Sequence, residues 1–383
     1  MLALATEEQR LIHQTVREFA REELRPHAVE WDRESRFPIE IVPRLAALGL
    51  MGMTVPVEYG GSGLDMKAIA TAIEALAWGD GGIALSVASH NSLCAGHIAA
   101  FANDAQRRRF LPRLAGGEVL GAWCLTEPGA GSDAAGIQTR AERRGDRWIL
   151  NGAKAIISQG SIGGIYVVMA VTDPGKKRAG ISAFVVERGT PGLEPGRKED
   201  KLGVRSSDTA EVRLIDCAVA DENRLGDLGD GYRQAMRTLD RGRVGIAAMS
   251  VGLGRAALDA SLAYAKTRMA YGRPIADLQG IQFMLADMAT ELDAAWLLTE
   301  RAADLCDRGE PFRREASMAK LFASEAAARA TAKGVQIHGG YGFIRDYHVE
   351  RFYRDIKVCE IGEGTSEVQR AIISRMVLEG ATQ

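Results

Sequence analysis

The apolar residues of this chain change their period twice, and that change limits the possible folds more than any single motif does. From Glu7 to Leu24, the positions Ile12, Val16, Phe19, Ala20 and Leu24 recur at helical spacing with charges between them. Helical patterns continue through Ile39 to Leu50, Met66 to Trp78, Ile83 to Phe101 and Ala105 to Leu114. Short apolar runs then replace them: Tyr166 to Val171, Ile181 to Val186 and the alternating Glu211 to Leu214 read as strands. Trp148-Ile149-Leu150 and Ala155-Ile156-Ile157 flank Asn151-Gly152, a strong turn dipeptide, and so predict a hairpin. No 10-residue helical pattern separates these runs, which favours an antiparallel barrel or sandwich over βαβ units. After Gly229 the helical period returns in Tyr232 to Thr267, Ile281 to Cys306 and Arg313 to Ile337. The expected class is α+β, mainly α. Residues 1–118 form a helical lobe, 119–228 a β domain and 229–383 a four-helix-bundle-like domain.

Composition narrows the function classes. With 383 residues and 46% hydrophobic content the chain has enough apolar mass for two or three lobes. A net charge of −2 gives no basic field for nucleic acid and no polybasic membrane signal. The five cysteines, Cys94, Cys124, Cys217, Cys306 and Cys359, are scattered without ligand spacing, so free thiols in a reducing compartment and no metal site are expected. The first residues carry no signal or transit pattern and no 18-residue apolar run occurs, so the expectation is a cytoplasmic protein without membrane insertion.

Two stretches carry chemistry. In CEIGEGTSEVQR, from Cys359 to Arg370, Glu363 stands between Gly362 and Gly364, where no neighbouring side chain shields it. Thr365 is placed to cap a helix on which Val368, Ile372, Ile373, Met376 and Val377 recur. That suits a general base just before a helix N-terminus; the alternative is a solvated turn between two helices. In LTEPGAGSD, from Leu125 to Asp133, Pro128, Gly129 and Gly131 preclude regular structure. Backbone N–H groups and the hydroxyls of Thr126 and Ser132 are left to meet a ligand. An ordinary interdomain turn is the alternative. The same segment fits a loose G-x-G-x-x-A, but Pro128 before it and the charged stretch from Thr139 to Asp146 after it deny the strand–helix frame of a dinucleotide site.

Taken in order, LTEPGAGSD, KLGVRSSDTAEV from Lys201, TRMAYGRPIADLQGIQFMLADM from Thr267, QIHGGYGF from Gln336 and RDIKVCEIGEGTSEVQR from Arg354 resemble the acyl-CoA dehydrogenase family along essentially the whole chain. The resemblance implies a flavoprotein, with FAD as cofactor, that oxidises an acyl-CoA thioester to the trans-2-enoyl-CoA. Glu363 matches the catalytic base. A carboxylate must take the α proton while the flavin accepts the β hydride. Hydrogen bonds at the thioester carbonyl, from the Glu363 N–H and a flavin hydroxyl, would stabilise the enolate. Shielding by substrate and flavin would raise the carboxyl pKa. The position at which some relatives carry the base is Gly242 here, in LDRGR.

By the same resemblance, Leu125, Thr126, Ser132, Ile157 and Ser158 meet the flavin. Arg268, Tyr271, Gln279, Gln336, Gly339 and Gly340 reach its pyrophosphate and adenosine, partly across a subunit interface; Thr365 and Glu367 add contacts. Ser132, Asp240, Arg243, Gly364 and Arg375 match substrate positions; on their own, Asp240 and Arg243 read as a helix-surface ion pair. His338 reads as a packing histidine. The family implies a homotetramer that passes electrons to an electron-transfer flavoprotein. An oxidase using oxygen and a non-catalytic flavin- or CoA-binding scaffold are the alternatives. Two positions depart from the common pattern, Ile156 for Trp and Gly362 for Tyr, and Gly362 would leave room for a short branched or cyclic acyl group.

Overall fold

The computed structural model describes residues 6–380. Helices at Glu7–Phe19, Met66–Gly79, Gly81–Ala88 and Asp104–Ala115 come first, and eight strands occupy the middle of the chain. The helices Gly231–Thr267, Gln279–Asp307, Arg313–His338 and Ser366–Gly380 dominate the C-terminal part. The two helical parts share one core: Ile69, Ile73 and Leu76 pack in the same cluster as Val251, Leu253, Met288, Leu292 and Phe352. The long helix Gly231–Thr267 has an 18-residue window of mean hydropathy 1.2. Among the described residues it alone is long and apolar enough to cross a membrane, and 67% of that window is buried in this core.

The strands are β1 (Gly121–Cys124), β2 (Arg140–Arg144), β3 (Arg147–Ser158), β4 (Ile165–Val171), β5 (Ile181–Glu187), β6 (Leu193–Lys198), β7 (Thr209–Ala220) and β8 (Arg224–Leu225). They run in the order β6-β7-β3-β2-β4-β5-β8, and β1 joins β4. Most neighbours are antiparallel; β1 pairs with β4 in parallel, as does the single β2–β4 contact. In β4, Ile165, Val167 and Met169 face Phe110, Leu111 and Leu114. Tyr166, Val168 and Ala170 pack with Trp148, Leu150, Val212 and Leu214 inside the sheet. Burial on both faces explains why this strand reads as a continuous apolar run.

The hairpin expected at Asn151-Gly152 is absent, because β3 continues straight through the dipeptide. Ile215 and Asp216 of β7 oppose the single Asn151, a bulge in which Asp216 takes φ +47°. The Asn151 amide holds it, accepting from Asp216 N at 2.8 Å and donating to Asp216 Oδ1 at 3.1 Å. Asn151 thus stabilises a bulge on the neighbouring strand instead of a turn in its own. A second bulge lies on β3 itself, where Ala155 and Ile156 oppose Glu211.

Candidate active site

Glu363 follows the short helix Lys357–Ile361 and precedes Ser366–Gly380. Thr365 caps the latter, its Oγ1 accepting from Val368 N at 3.3 Å. Glu363 has φ +55° and Gly364 φ +99°, so the turn is left-handed at a residue that carries a side chain. Gln369 Nε2 donates to Gly364 O at 2.9 Å and Glu363 O at 3.2 Å, and Lys320 Nζ donates to Gly364 O at 2.8 Å. These bonds hold the strained backbone, and the carboxylate is delivered onto Gly242 of the long helix. A Cβ at 242 would lie 2.7 Å from Glu363 Cδ and closer still to Oε2. The helix therefore has a side-chain gap where the carboxylate needs it.

Electrostatics follow from that placement. Glu363 Oε2 is buried without a hydrogen-bond partner. Burial pushes the carboxyl up from 4.5 to about 7, against the opposing pull of Arg243 and Lys320. The protein alone produces the shift that the sequence reading ascribed to substrate and flavin. Asp240 and Arg243 do form an i,i+3 ion pair, at 2.7 Å, but both are buried, and Asp240 also accepts from Arg313 Nε at 2.9 Å. The pair is an interior fixture beside the carboxylate, not a helix-surface one.

The LTEPGAGSD loop is fastened to β3 by a buried lysine. Lys154 Nζ donates to Leu125 O at 3.2 Å and Glu127 Oε1 at 2.7 Å. The Glu127 carboxylate also accepts from the backbone N–H groups of Gln138 and Thr139. Ala155 N donates to Thr126 O at 2.9 Å, just where β3 bulges. There Ile156 takes φ +57° and stands 68% exposed. Left-handed backbone at a β-branched residue is a costly conformation that persists at functional sites. Ile157, by contrast, is buried in the sheet interior, so the side chain available beside the loop is that of Ile156 and Ile157 contributes backbone. Ser132 is exposed and Ser158 half-buried.

A separate cleft of about 530 Å³ is lined by Tyr264, Arg268, Ile275, Gly339, Gly340 and Tyr341 among others. A Cβ at Gly339 or Gly340 would meet nothing within 4 Å. Gly339 takes φ +59°, and Arg268 lies over the Tyr341 ring at 5.3 Å. An open glycine pair facing a guanidinium suits a diphosphate and an adjoining ring, so these residues fit the distal half of FAD. His338 stacks on Tyr264 at 4.2 Å and its Nδ1 bonds Gly334 O, as a packing histidine would.

Family models for the N-terminal, middle and C-terminal domains of acyl-CoA dehydrogenase match residues 6–118, 122–217 and 229–378. This chain belongs to the acyl-CoA dehydrogenase family. It is 45% identical to an acyl-CoA dehydrogenase of Bacillus subtilis over 98% of this chain and 99% of the relative. The human mitochondrial short-chain specific acyl-CoA dehydrogenase is 45% identical over 97% and 90%. Among solved structures, butyryl-CoA dehydrogenase from Megasphaera elsdenii superposes with a TM-score of 0.96 at 41% identity, covering 99% of this chain and 100% of that one. A chain in the structure described as an electron transferring flavoprotein of Acidaminococcus fermentans gives 0.97 at 42%, covering 99% and 100%. As a member of this family the chain is an oxidoreductase that uses FAD to dehydrogenate an acyl-CoA.

In this acyl-CoA dehydrogenase the structure groups Glu363, Gly364, Asp240 and Arg243 at one place, and Arg268, Gly339 and Gly340 at another. Tyr271, at 92% exposure, and the exposed Gln279, Gln336 and Glu367 belong to neither group. Arg375 is exposed nine residues beyond Ser366, roughly 13 Å along its helix, and does not reach Glu363. Sequence reading missed Lys154 and Lys320. Their signal would have been a lysine on a helix or strand face that is otherwise apolar, as at Lys320, whose neighbours at i−4, i+3 and i+7 are Ala316, Ala323 and Ala327.

Proposed function

We propose that Glu363 is the base of this enzyme and that the substrate is a short acyl-CoA. The observation that carries the reading is the buried, unpartnered carboxylate resting on Gly242, with its pKa brought to about 7. Near neutral pH such a group is ionised often enough to accept a proton and basic enough to take one from a carbon acidified by a thioester. The fixed left-handed turn aims it, and we assign its backbone N–H to the thioester carbonyl, where it opposes the charge that develops on oxygen. Bound FAD supplies the hydride acceptor. Leu125, Thr126, Ser132, Ile157 backbone and Ser158 would hold the flavin, and Arg268, Gly339 and Gly340 its distal half; Tyr271, Gln279, Gln336 and Glu367, which lie outside that cleft, would reach FAD across a subunit interface, with Thr365 adding a contact. Arg243, Asp240, Ser132 and Gly364 would serve the acyl thioester, and Arg375, which does not reach Glu363, a remoter part of CoA.

The short acyl chain is supported by relatives named short-chain specific in human, rat and Clostridium acetobutylicum. Gly362 supports a branch. Its φ of −62° and ψ of 150° suit any residue, and an added Cβ would meet only Val358 O at 3.2 Å and Val358 Cγ2 at 3.9 Å. Glycine here is therefore a choice of space and not of backbone. The remaining elements of the reading are three domains at 1–118, 119–228 and 229–383, a homotetramer in the cytoplasm, and transfer of electrons to an electron-transfer flavoprotein.

The test is an anaerobic titration of the flavoprotein with butyryl-, isobutyryl- and octanoyl-CoA, following visible absorbance, beside Glu363→Gln. Bleaching of wild type by the short thioesters, with a variant that binds them and stays oxidised, is the expected result. A variant that bleaches normally removes Glu363 from the role, and bleaching by octanoyl-CoA alone removes the short-chain assignment. Rapid stoichiometric peroxide formation in air would mark an oxidase.

A further inference from the structure

Lys320 lies on the helix Arg313–His338, and its side chain is fully buried. A lysine so enclosed ordinarily has a carboxylate partner in contact. Here the one hydrogen bond of the ammonium among the described residues goes to a neutral group, the carbonyl of Gly364 at 2.8 Å. That carbonyl belongs to the turn that carries Glu363, in the peptide just after two successive positive φ angles. The charged or titratable groups that face the ammonium are Cys359, Glu363, Arg243 and Glu360, with the exposed Glu367, which Arg370 also attracts, farther off. Cys359 stays a thiol, because burial pushes it up to about 12. Glu360 is already engaged by Lys357 at 2.5 Å, and Arg243 by Asp240 at 2.7 Å. Glu363 is thus the anionic neighbour that forms no ion pair; the cations nearest it are Arg243, already paired with Asp240, and Lys320.

We propose that Lys320 is the positioning residue of the Glu363 turn: its ammonium fixes the Gly364 carbonyl, hence the backbone that aims the carboxylate at Gly242, and its charge favours the ionised carboxylate. The assignment rests on Glu363 being the base. Two observations agree with it. Gln369 Nε2 supplies a second hydrogen bond to the same carbonyl, so the geometry has a neutral support that would survive loss of the charge. Burial brings Lys320 itself down from 10.5 to about 8, so it is protonated where Glu363 changes state.

The experiment compares pH profiles of kcat/KM for flavin-loaded wild type, Lys320→Met, Lys320→Gln and Lys320→Arg, with Glu363→Gln alongside. Flavin content and thermal unfolding are measured for each. Loss of a facing cation should move the acid limb up by about one pH unit in the Met and Gln variants, since such a cation typically lowers a carboxyl pKa by one unit or more. KM should change less than twofold, and the Arg variant should keep the wild-type limb. A wild-type limb in flavin-loaded Lys320→Met overturns the inference. So does a failure of both neutral variants to fold, which would assign Lys320 to the bundle. Turnover surviving in Glu363→Gln would instead overturn the base assignment, so the two failures are told apart.

Discussion

Gly242→Ala separates the geometry of the site from its stability. A methyl at 242 would stand 2.7 Å from Glu363 Cδ and 2.9 Å from Oε1, with Oε2 nearer still, whereas ordinary contact begins at 3.4 Å. The three nearest atoms all belong to the Glu363 carboxylate, so relief comes from moving that side chain and not the buried helix. The displacement is about 1 Å. Misplacement of a reacting group by that distance costs roughly 100-fold in rate, or about 3 kcal/mol in the barrier. Replacing glycine by alanine inside a helix favours folding by roughly 0.5–1 kcal/mol, which offsets the side-chain rearrangement. The expected outcome is flavin-loaded protein of near wild-type melting temperature with kcat down about 100-fold. In a Glu363→Gln background the alanine should change kcat no further, as expected of two groups acting through one contact. Turnover within threefold of wild type would refute the packing argument. A fall of many degrees in melting temperature would show that the helix, not the carboxylate, had yielded.

Three further outcomes follow from buried charge and open space. The folded pKa of Glu363, about 7, lies above its ordinary 4.5, so its contribution to stability is fully present below 4.5 and is lost as pH rises through 7. Glu363→Gln should therefore gain up to about 3 kcal/mol over wild type at pH 8 and little at pH 4.5; urea midpoints that differ equally at both would contradict it. Asp80 accepts from Ile83 N at 2.9 Å, Ser206 Oγ at 2.5 Å and Arg351 Nη1 at 2.9 Å at the junction of the three lobes. Asp80→Ala leaves Arg351 buried with Asp355 at 3.6 Å and should cost about 3–5 kcal/mol in chemical unfolding, where under 1 kcal/mol would show the junction to be wet. Gly362→Tyr should fold normally and lower kcat/KM for isobutyryl-CoA more than for butyryl-CoA; equal losses would detach Gly362 from the acyl pocket.

The helices were legible because their apolar stripes are long; the capping boxes at Thr6 and Asn103, each with a glutamine three residues on, are seen in the structure. The strands were legible as runs, but not their pairing. Asn151-Gly152 carries the local signature of a turn, and only the partner strand β7 decides that it becomes the opposite side of a bulge. The Glu363 turn was legible because glycines on both sides of a lone carboxylate are a local feature. Lys320 lies 43 positions earlier; the alanine-rich face around it says that it is buried but not what it bonds, which arises from the packing of Arg313–His338 against Lys357–Ile361. The shared core of the two helical parts was likewise invisible, since about 110 residues of sheet separate them in sequence.

Strain and buried charge recur together in this fold. Three side-chain-bearing residues in left-handed backbone, Ile156, Val204 and Glu363, each stand beside a fully enclosed ionisable group. Lys154 fastens the loop opposite Ile156 through Leu125 O and Glu127. Asp355 Oδ1 accepts from Val204 N at 2.5 Å. Lys320 grips the carbonyl after Glu363. Each such backbone costs about 1–3 kcal/mol and persists only where surrounding contacts over-determine it. A buried charge is well suited to that task, because leaving it without its partner is costlier than the strain it holds. The left-handed turn at Glu363 and the bulge at Ile156 thus share one arrangement: beside each, a buried ammonium donates to a backbone carbonyl far away in sequence, Lys320 to Gly364 and Lys154 to Leu125.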